Sequence, residues 1–407
     1  MTDIALLLHF HYPTYGPDEI FVEICQKCYE RLLYLIRDME QNFSPVRITV
    51  NITGALLKWF ERERDDLFSL IGELVDSRVL ELLTSPFHQA PSIFTPDGLL
   101  KEQIFHHRKM IRDCFGVTPT GFFPPELIFS KDVLPTLSEL GLSYIIVDGD
   151  PIAFDKQDLG GIYNCEFYGA EMKLFPRNQD LSYVLSHGWP RAEQILDKAT
   201  QKNHLSPLLI ALDAETFGYY RSDVYFSLLW HIFEKESQRT DISIWHANDL
   251  LNKYPTVGSY SFDGITTWAE DLSIFFADSF FHKMWIRRNA VLMRYQCVEL
   301  LYFKLENLLE NFIKHKKPIY NADSLFQQLI AIKLNQIDKY RWLIYRRLLD
   351  IGLFHKKYSN AHTRDVFYQD CEKILYELGW VERQLDDLWK SIQLDASYEH
   401  KNENRSL

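Results

Sequence analysis

Four carboxylates and four histidines stand where short apolar runs of this sequence end. The run Leu208–Leu212 is followed by Asp213 and Glu215, with only Ala214 between them. Gly121-Phe122-Phe123-Pro124-Pro125 leads into Glu126, and Val147 into Asp148. Ile4–Leu8 leads into His9, Phe10 and His11, and Val79–Leu83 into Thr84-Ser85-Pro86-Phe87-His88-Gln89. The run from Ile242 ends in Trp245 and His246. Burying an ionised carboxylate is expensive unless it is paired or put to use. Groups of this kind transfer protons or attack electrophiles, provided that one carboxyl keeps a proton while another stays ionised.

Such side chains need rigid elements to aim them. Candidate strands are Ile4–Phe10, Val46–Ile52, Val79–Thr84, Thr120–Phe123, Ser143–Val147, Pro207–Leu212 and Ile242–His246. Helical patterns lie between them over Asp18–Met39, Leu56–Asp76, Leu99–Phe115, Lys131–Leu140, Arg191–Thr200 and Ser222–Glu236. This alternation predicts an α/β fold with a mostly parallel sheet, open or closed into a barrel. The hairpin-like piece Gly160–Phe175 interrupts it and reads as an insertion at one rim. In a parallel barrel, reactive groups sit at the carboxyl ends of the strands. All the strand-end residues above then fall on one face.

From Phe280 to Lys390 only long heptad-like runs remain, which predicts a helical bundle. The expected organisation is a barrel domain over 1–275, a helical domain over 276–395 and a polar tail over 396–407.

Each polar strand end also has a structural reading. His9 and His11 could be hydrogen-bonded residues lining a barrel. Glu126 could serve a helix N-terminus, and Asp213 could cap a helix with Glu215 in its first turn. Capping does not explain why so many strand ends are polar at once.

Composition narrows the partners. A formal net charge of −12 argues against nucleic acid or an anionic membrane, since both reward a basic surface. Aromatic residues make up 14% of the chain, a stock that suits a cleft stacking flat, weakly polar ligands. No stretch approaches the ~20 apolar residues that span a bilayer. MTDIALLLHFHYP has no basic start and no cleavage-site pattern, and reads as a first strand. Six cysteines are too few and scattered for a disulfide framework, and Cys25-x-x-Cys28 lies in a helix-like stretch that reads as core. A reduced, cytoplasmic protein without metal or cofactor is expected.

Several motifs carry a resemblance. His9-Phe10-His11-Tyr12-Pro13, Thr84–Pro91, Gly121–Glu126, Phe175-Pro176-Arg177 with Asp180-Leu181-Ser182, Leu212-Asp213-Ala214-Glu215 and Thr267-Trp268-Ala269-Glu270-Asp271 occur in this order. The ordered set resembles glycoside hydrolase family 57, retaining enzymes of α-glucans that include α-amylases, 4-α-glucanotransferases and branching enzymes. Tyr12 stands where that family usually has Gln, Ala214 where Gly is usual, and Phe87 and Gln89 make the second region unusual. The resemblance implies a distorted parallel (β/α)7-type barrel followed by a C-terminal helical bundle. It implies Glu126 as nucleophile and Asp213 as acid/base, acting on an oligo- or polysaccharide. His9, His11 and His88 would bond sugar hydroxyls, Trp268 or Trp245 would stack on a pyranose, Glu215 would hold Asp213, and Asp271 would join the substrate site. Two other readings stay open: a metal-dependent polysaccharide deacetylase, for which no H-x-x-x-H pair is present, and a non-catalytic α-glucan-binding protein. Hydrolysis and transfer are not separated, because both run through one glycosyl-enzyme.

Overall fold

The computed structural model of the chain describes residues 2–11, 18–90, 92, 95, 97–149, 160–187, 191–200, 206–221, 223–268 and Tyr376. All but Tyr376 belong to one compact unit. The domain boundary expected near 275, the helical domain (Tyr376 apart) and the tail lie outside the described residues, as do Tyr12 and Asp271.

The strands are β1 (Thr2–Phe10), β2 (Ile48–Ile52), β3 (Leu80–Leu83), β4 (Gly121–Phe122), β5 (Tyr144–Asp148), β6 (Ile162–Phe167), β7 (Ala170–Arg177), β8 (Leu208–Asp213), β9 (Ile242–Trp245) and β10 (Thr256–Ser259). β1 pairs in parallel with β2 and β8, β2 with β3, β4 with β5, and β5 with β7. Two seams are thin: Thr84 alone bridges β3 to Phe122 of β4, and β7 meets β8 only at Arg177 opposite Leu209. Seven parallel strands thereby return on themselves as a nearly closed, distorted barrel with helices outside.

Two strands differ from expectation. Gly160–Phe175 is not an insertion at one rim, because β7 is a barrel strand between β5 and β8; only β6 is an antiparallel addition on it. The exposed Glu171 and the tight Tyr168-Gly169 turn give this stretch the look of a free hairpin. Ile242–Trp245 is not a member of the ring. β9 pairs with Thr2–Ala5 of β1, while β2 takes Leu7–Phe10. Seven strands close the barrel, but β7 holds the place that the sequence assigns to β9.

The apolar runs of β1 and β8 are buried on both faces, which explains their lack of alternation. Ile4, Leu6 and Leu8 pack outward with Leu208, Ile210 and Leu212 against the helices. Ala5 and Leu7 point inward with Leu209, Ala211, Ile146 and Phe175. Gly121 lies so close to this interior that a Cβ would fall 2.2 Å from Cζ of Tyr144. At the amino end, Asp3 accepts from the Tyr254 hydroxyl, 2.8 Å, and Glu81 from Thr49 and Tyr144, at 2.8 and 2.6 Å. These contacts fill the barrel from below. The inward polar groups above Leu7 and Ala211 sit at the carboxyl end.

Candidate active site

β1 and β8 place His9 directly opposite Asp213 in the parallel register. The His9 ring stacks on Phe123, with centroids 4.5 Å apart, and runs nearly parallel to His11 at 5.9 Å. Nδ1 of His9 is 3.0 Å from Oδ1 of Asn51, whose Nδ2 donates to the Leu83 carbonyl. An amide oxygen only accepts, so the His9 proton lies on Nδ1 and its Nε2 is left as an acceptor. Gln89 Nε2 donates to Ser85 at 3.0 Å and reaches the same Asn51 oxygen at 3.5 Å. Burial lowers His9 and His11 to about 3 each, so both rings are neutral at ordinary pH.

Glu126 is aimed by strained backbone. Two prolines precede it, and Glu126 and Leu127 then both take left-handed conformations, with φ of 54° and 47°. A non-glycine residue held there costs on the order of 1–3 kcal/mol and persists only where the surroundings enforce it. Enforcement comes from Leu127 N–H donating to the Pro124 carbonyl at 2.9 Å and Thr267 Oγ1 donating to the Glu126 carbonyl at 2.7 Å. The side chain is then met by Trp268, whose indole Nε1 donates to Oε2 of Glu126 at 2.7 Å. Trp268 also lies edge-on to Phe123 and within 6.1 Å of the His9 ring. Burial raises the Glu126 carboxyl, and the Trp268 bond opposes that rise.

Asp213 opens a short turn over Ala214–Thr216, yet its side chain caps nothing. The helix-cap reading therefore fails. Burial raises its carboxyl well above the usual range, the nearby Glu215 and Glu126 add to this, and Arg177 opposes it. Arg177 is itself fixed, pairing with Asp148 at 2.8 Å and donating to the Ala211 carbonyl at 3.0 Å. Glu215 is also raised by burial, against the Tyr29 hydroxyl and the backbone N–H groups of Glu215 and His11. Three carboxyls in one desolvated cluster cannot all stay ionised, so protons are shared among them.

Of the residues expected at the site, His9, His11, Glu126, Asp213, Glu215 and Trp268 converge. Trp245 does not. It pairs with Ala5, four residues below His9, which is ~13 Å along a strand. It lies at the closed end beneath the Arg47 and Lys253 cations, at 4.5 and 4.6 Å. The cause is the placement of β9 outside the ring. His88 is buried beside the Phe87 ring and gives its N–H to Gln103, and its neighbour Gln89 is the residue that enters the His9–Asn51 network. Asn51, Arg177 and Tyr29 were missed as site residues. Asn51 and Arg177 carried a signal, being polar at inward strand positions, whereas Tyr29 looks like any core tyrosine of a helix. Among the described residues no group of His, Cys, Asp and Glu is arranged to hold a metal ion.

The comparisons with known proteins agree with this architecture. α-Amylase 1 of Dictyoglomus thermophilum is 25% identical over 251 residues, covering 61% of this chain and 35% of that protein. The chain thus spans about a third of that relative's length. The 4-α-glucanotransferase structure of Thermococcus litoralis superposes with a TM-score of 0.68 at 18% identity, over 92% of this chain and 59% of that one. A branching enzyme structure from Pyrococcus horikoshii gives 0.65 at 13% identity, over 93% and 88%. Those likenesses speak for the fold. The family profile matches residues 10–263, from the last residue of β1 through β10 and including both acidic turns, and the chain belongs to glycosyl hydrolase family 57.

Proposed function

We propose that the protein is a retaining enzyme of α-1,4-linked glucans, with Glu126 as nucleophile and Asp213 as acid/base. The observation that carries this reading is the Asp213 carboxyl: half-buried, in register with His9, capping nothing, and raised by desolvation and by Glu215 and Glu126. A group in that state holds a proton near neutral pH, as a general acid must. Glu126 has the complementary support, an indole N–H on its carboxylate.

In the first step the Glu126 carboxylate bonds to the anomeric carbon as the glycosidic C–O bond breaks, and the Asp213 proton passes to the departing oxygen. Esterified Glu126 is neutral, so Asp213 loses one of the charges that kept it protonated and becomes the base. It takes a proton from water or a sugar hydroxyl, whose oxygen attacks the anomeric carbon and releases Glu126. Two inversions give net retention. This geometry needs the two carboxyls about 5–5.5 Å apart. His9 Nε2 can accept from a sugar hydroxyl, and Trp268 offers a stacking surface. An α-glucan substrate is supported by the amylase, glucanotransferase and branching-enzyme relatives. Among the described residues no helix is long and apolar enough to cross a membrane, and we place the activity in the cytoplasm as part of this proposal.

The test is Asp213→Asn. It should be nearly inactive on maltoheptaose, whose sugar leaving group needs a proton, and far less impaired in the first step on an activated aryl α-glycoside. Azide should then restore turnover and give a glycosyl azide of retained configuration, since a small anion needs no general base. Equal losses on both substrates without azide rescue would remove Asp213 from this role. Wild-type products from maltoheptaose, shorter only or both shorter and longer, separate hydrolysis from transfer.

A further inference from the structure

The helix that follows β1 contains one π-helical turn, Cys25–Tyr29, between α-helical stretches Asp18–Ile24 and Glu30–Phe43. The wider turn is a local departure of the kind that recurs near functional sites. Here it presents two consecutive side chains to the acidic turn. Cys28 Sγ donates to the Ala214 carbonyl at 3.0 Å. The Tyr29 hydroxyl contacts Oε1 of Glu215 and lies 2.7 Å from the His11 carbonyl. Tyr29 is fully buried between Phe10, at 5.3 Å, and Phe60, at 6.3 Å, so its oxygen has no freedom to leave.

One hydroxyl carries one proton, and a carbonyl only accepts. With Glu215 ionised, Tyr29 donates to it. With Glu215 protonated, the carboxyl donates to the Tyr29 oxygen and Tyr29 turns its proton to the His11 carbonyl. Either state is fully hydrogen-bonded. We propose that Tyr29 is a positioning residue for the acid/base turn, holding Glu215 beside Asp213 and accommodating Glu215 in both charge states through the His11 carbonyl. This rests on Asp213 as the acid/base.

The groups facing Glu215 and Asp213 are Glu126 after β4, Arg177 on β7, Cys28 and Tyr220 beside Tyr29, and the neutral His11. Ionised Glu215 keeps Asp213 protonated, and donation by Tyr29 favours ionised Glu215. Removing the hydroxyl leaves Glu215 protonated to a higher pH, which withdraws the charge that holds the Asp213 proton. The basic limb of the kcat/KM profile must then move to lower pH.

Tyr29→Phe keeps the ring in its slot and should shift that limb down by at most about one pH unit, less than the roughly one to two units by which loss of a bond to a charged group moves Glu215 itself. KM at the acidic side should change less than twofold. Glu215→Gln should shift the limb the same way, and Tyr29→Phe added to it should produce little further shift. An unmoved limb in Tyr29→Phe overturns the proposal, as do additive shifts in the double variant or an unmoved limb in Glu215→Gln should Tyr29→Phe fail to fold. Asp213→Asn with wild-type activity would instead sink the acid/base reading itself, which separates the two failures.

Discussion

Trp268→Phe isolates one hydrogen bond at the nucleophile. The indole donates to Oε2 of Glu126 at 2.7 Å, while burial pushes that carboxyl up. Phenylalanine keeps an aromatic face toward His9, Phe123 and Arg177 while removing the N–H together with part of the ring system. A hydrogen bond to a charged group is worth about 1.5–3 kcal/mol, or roughly one to two pKa units at 1.36 kcal/mol each. The bond favours ionised Glu126, so its loss raises the Glu126 pKa. The nucleophile must be ionised, and the acid limb of kcat/KM therefore moves to higher pH by about one to two units. Below that limb, activity on an aryl α-glycoside falls roughly 10- to 100-fold. A uniform loss at every pH with the acid limb unmoved would refute the reasoning, because packing and not the hydrogen bond would then be at fault.

Three further outcomes are expected. Glu126→Gln should abolish turnover yet raise the melting temperature at pH 8. A carboxyl with a raised folded pKa destabilises the fold above its unfolded value, so the gain should shrink as pH falls toward 4, and thermal melts at several pH values check it. Activity should survive exhaustive dialysis against EDTA; stoichiometric zinc whose removal stops the reaction would favour deacetylase chemistry instead. Gly121→Ala places a Cβ 2.2 Å from Tyr144 inside the barrel and should cost about 1–3 kcal/mol in urea unfolding.

Much of the barrel was legible because its strands are short and apolar on both faces. β1 and β8 read as continuous runs, and the acidic residues after them marked the carboxyl rim. β7 was hidden because Glu171 and Lys173 give it the alternation of an exposed hairpin, although its upper half, Leu174–Pro176, is buried against β5 and β8. β9 was misassigned because nothing in Ile242–Trp245 says which part of β1 it pairs with, and Trp245 went to the wrong end with it. The carboxyls of the site were visible as residue types out of place. Their support was less so: Tyr29 lies 186 residues from Glu215, in a helix whose pattern gives no hint of a π turn. The left-handed backbone of Glu126 follows from two prolines only once Thr267 and Trp268 hold its carbonyl.

The most direct measurement is to trap the sugar on the enzyme. Asp213→Asn incubated with an activated aryl α-maltoside, then digested and analysed by mass spectrometry, should hold one maltosyl unit as an ester. That unit should sit on the peptide containing Glu126, with loss of the label in Glu126→Gln. Rapid release of aryl alcohol with no labelled peptide, or a label on any other carboxylate, would contradict it.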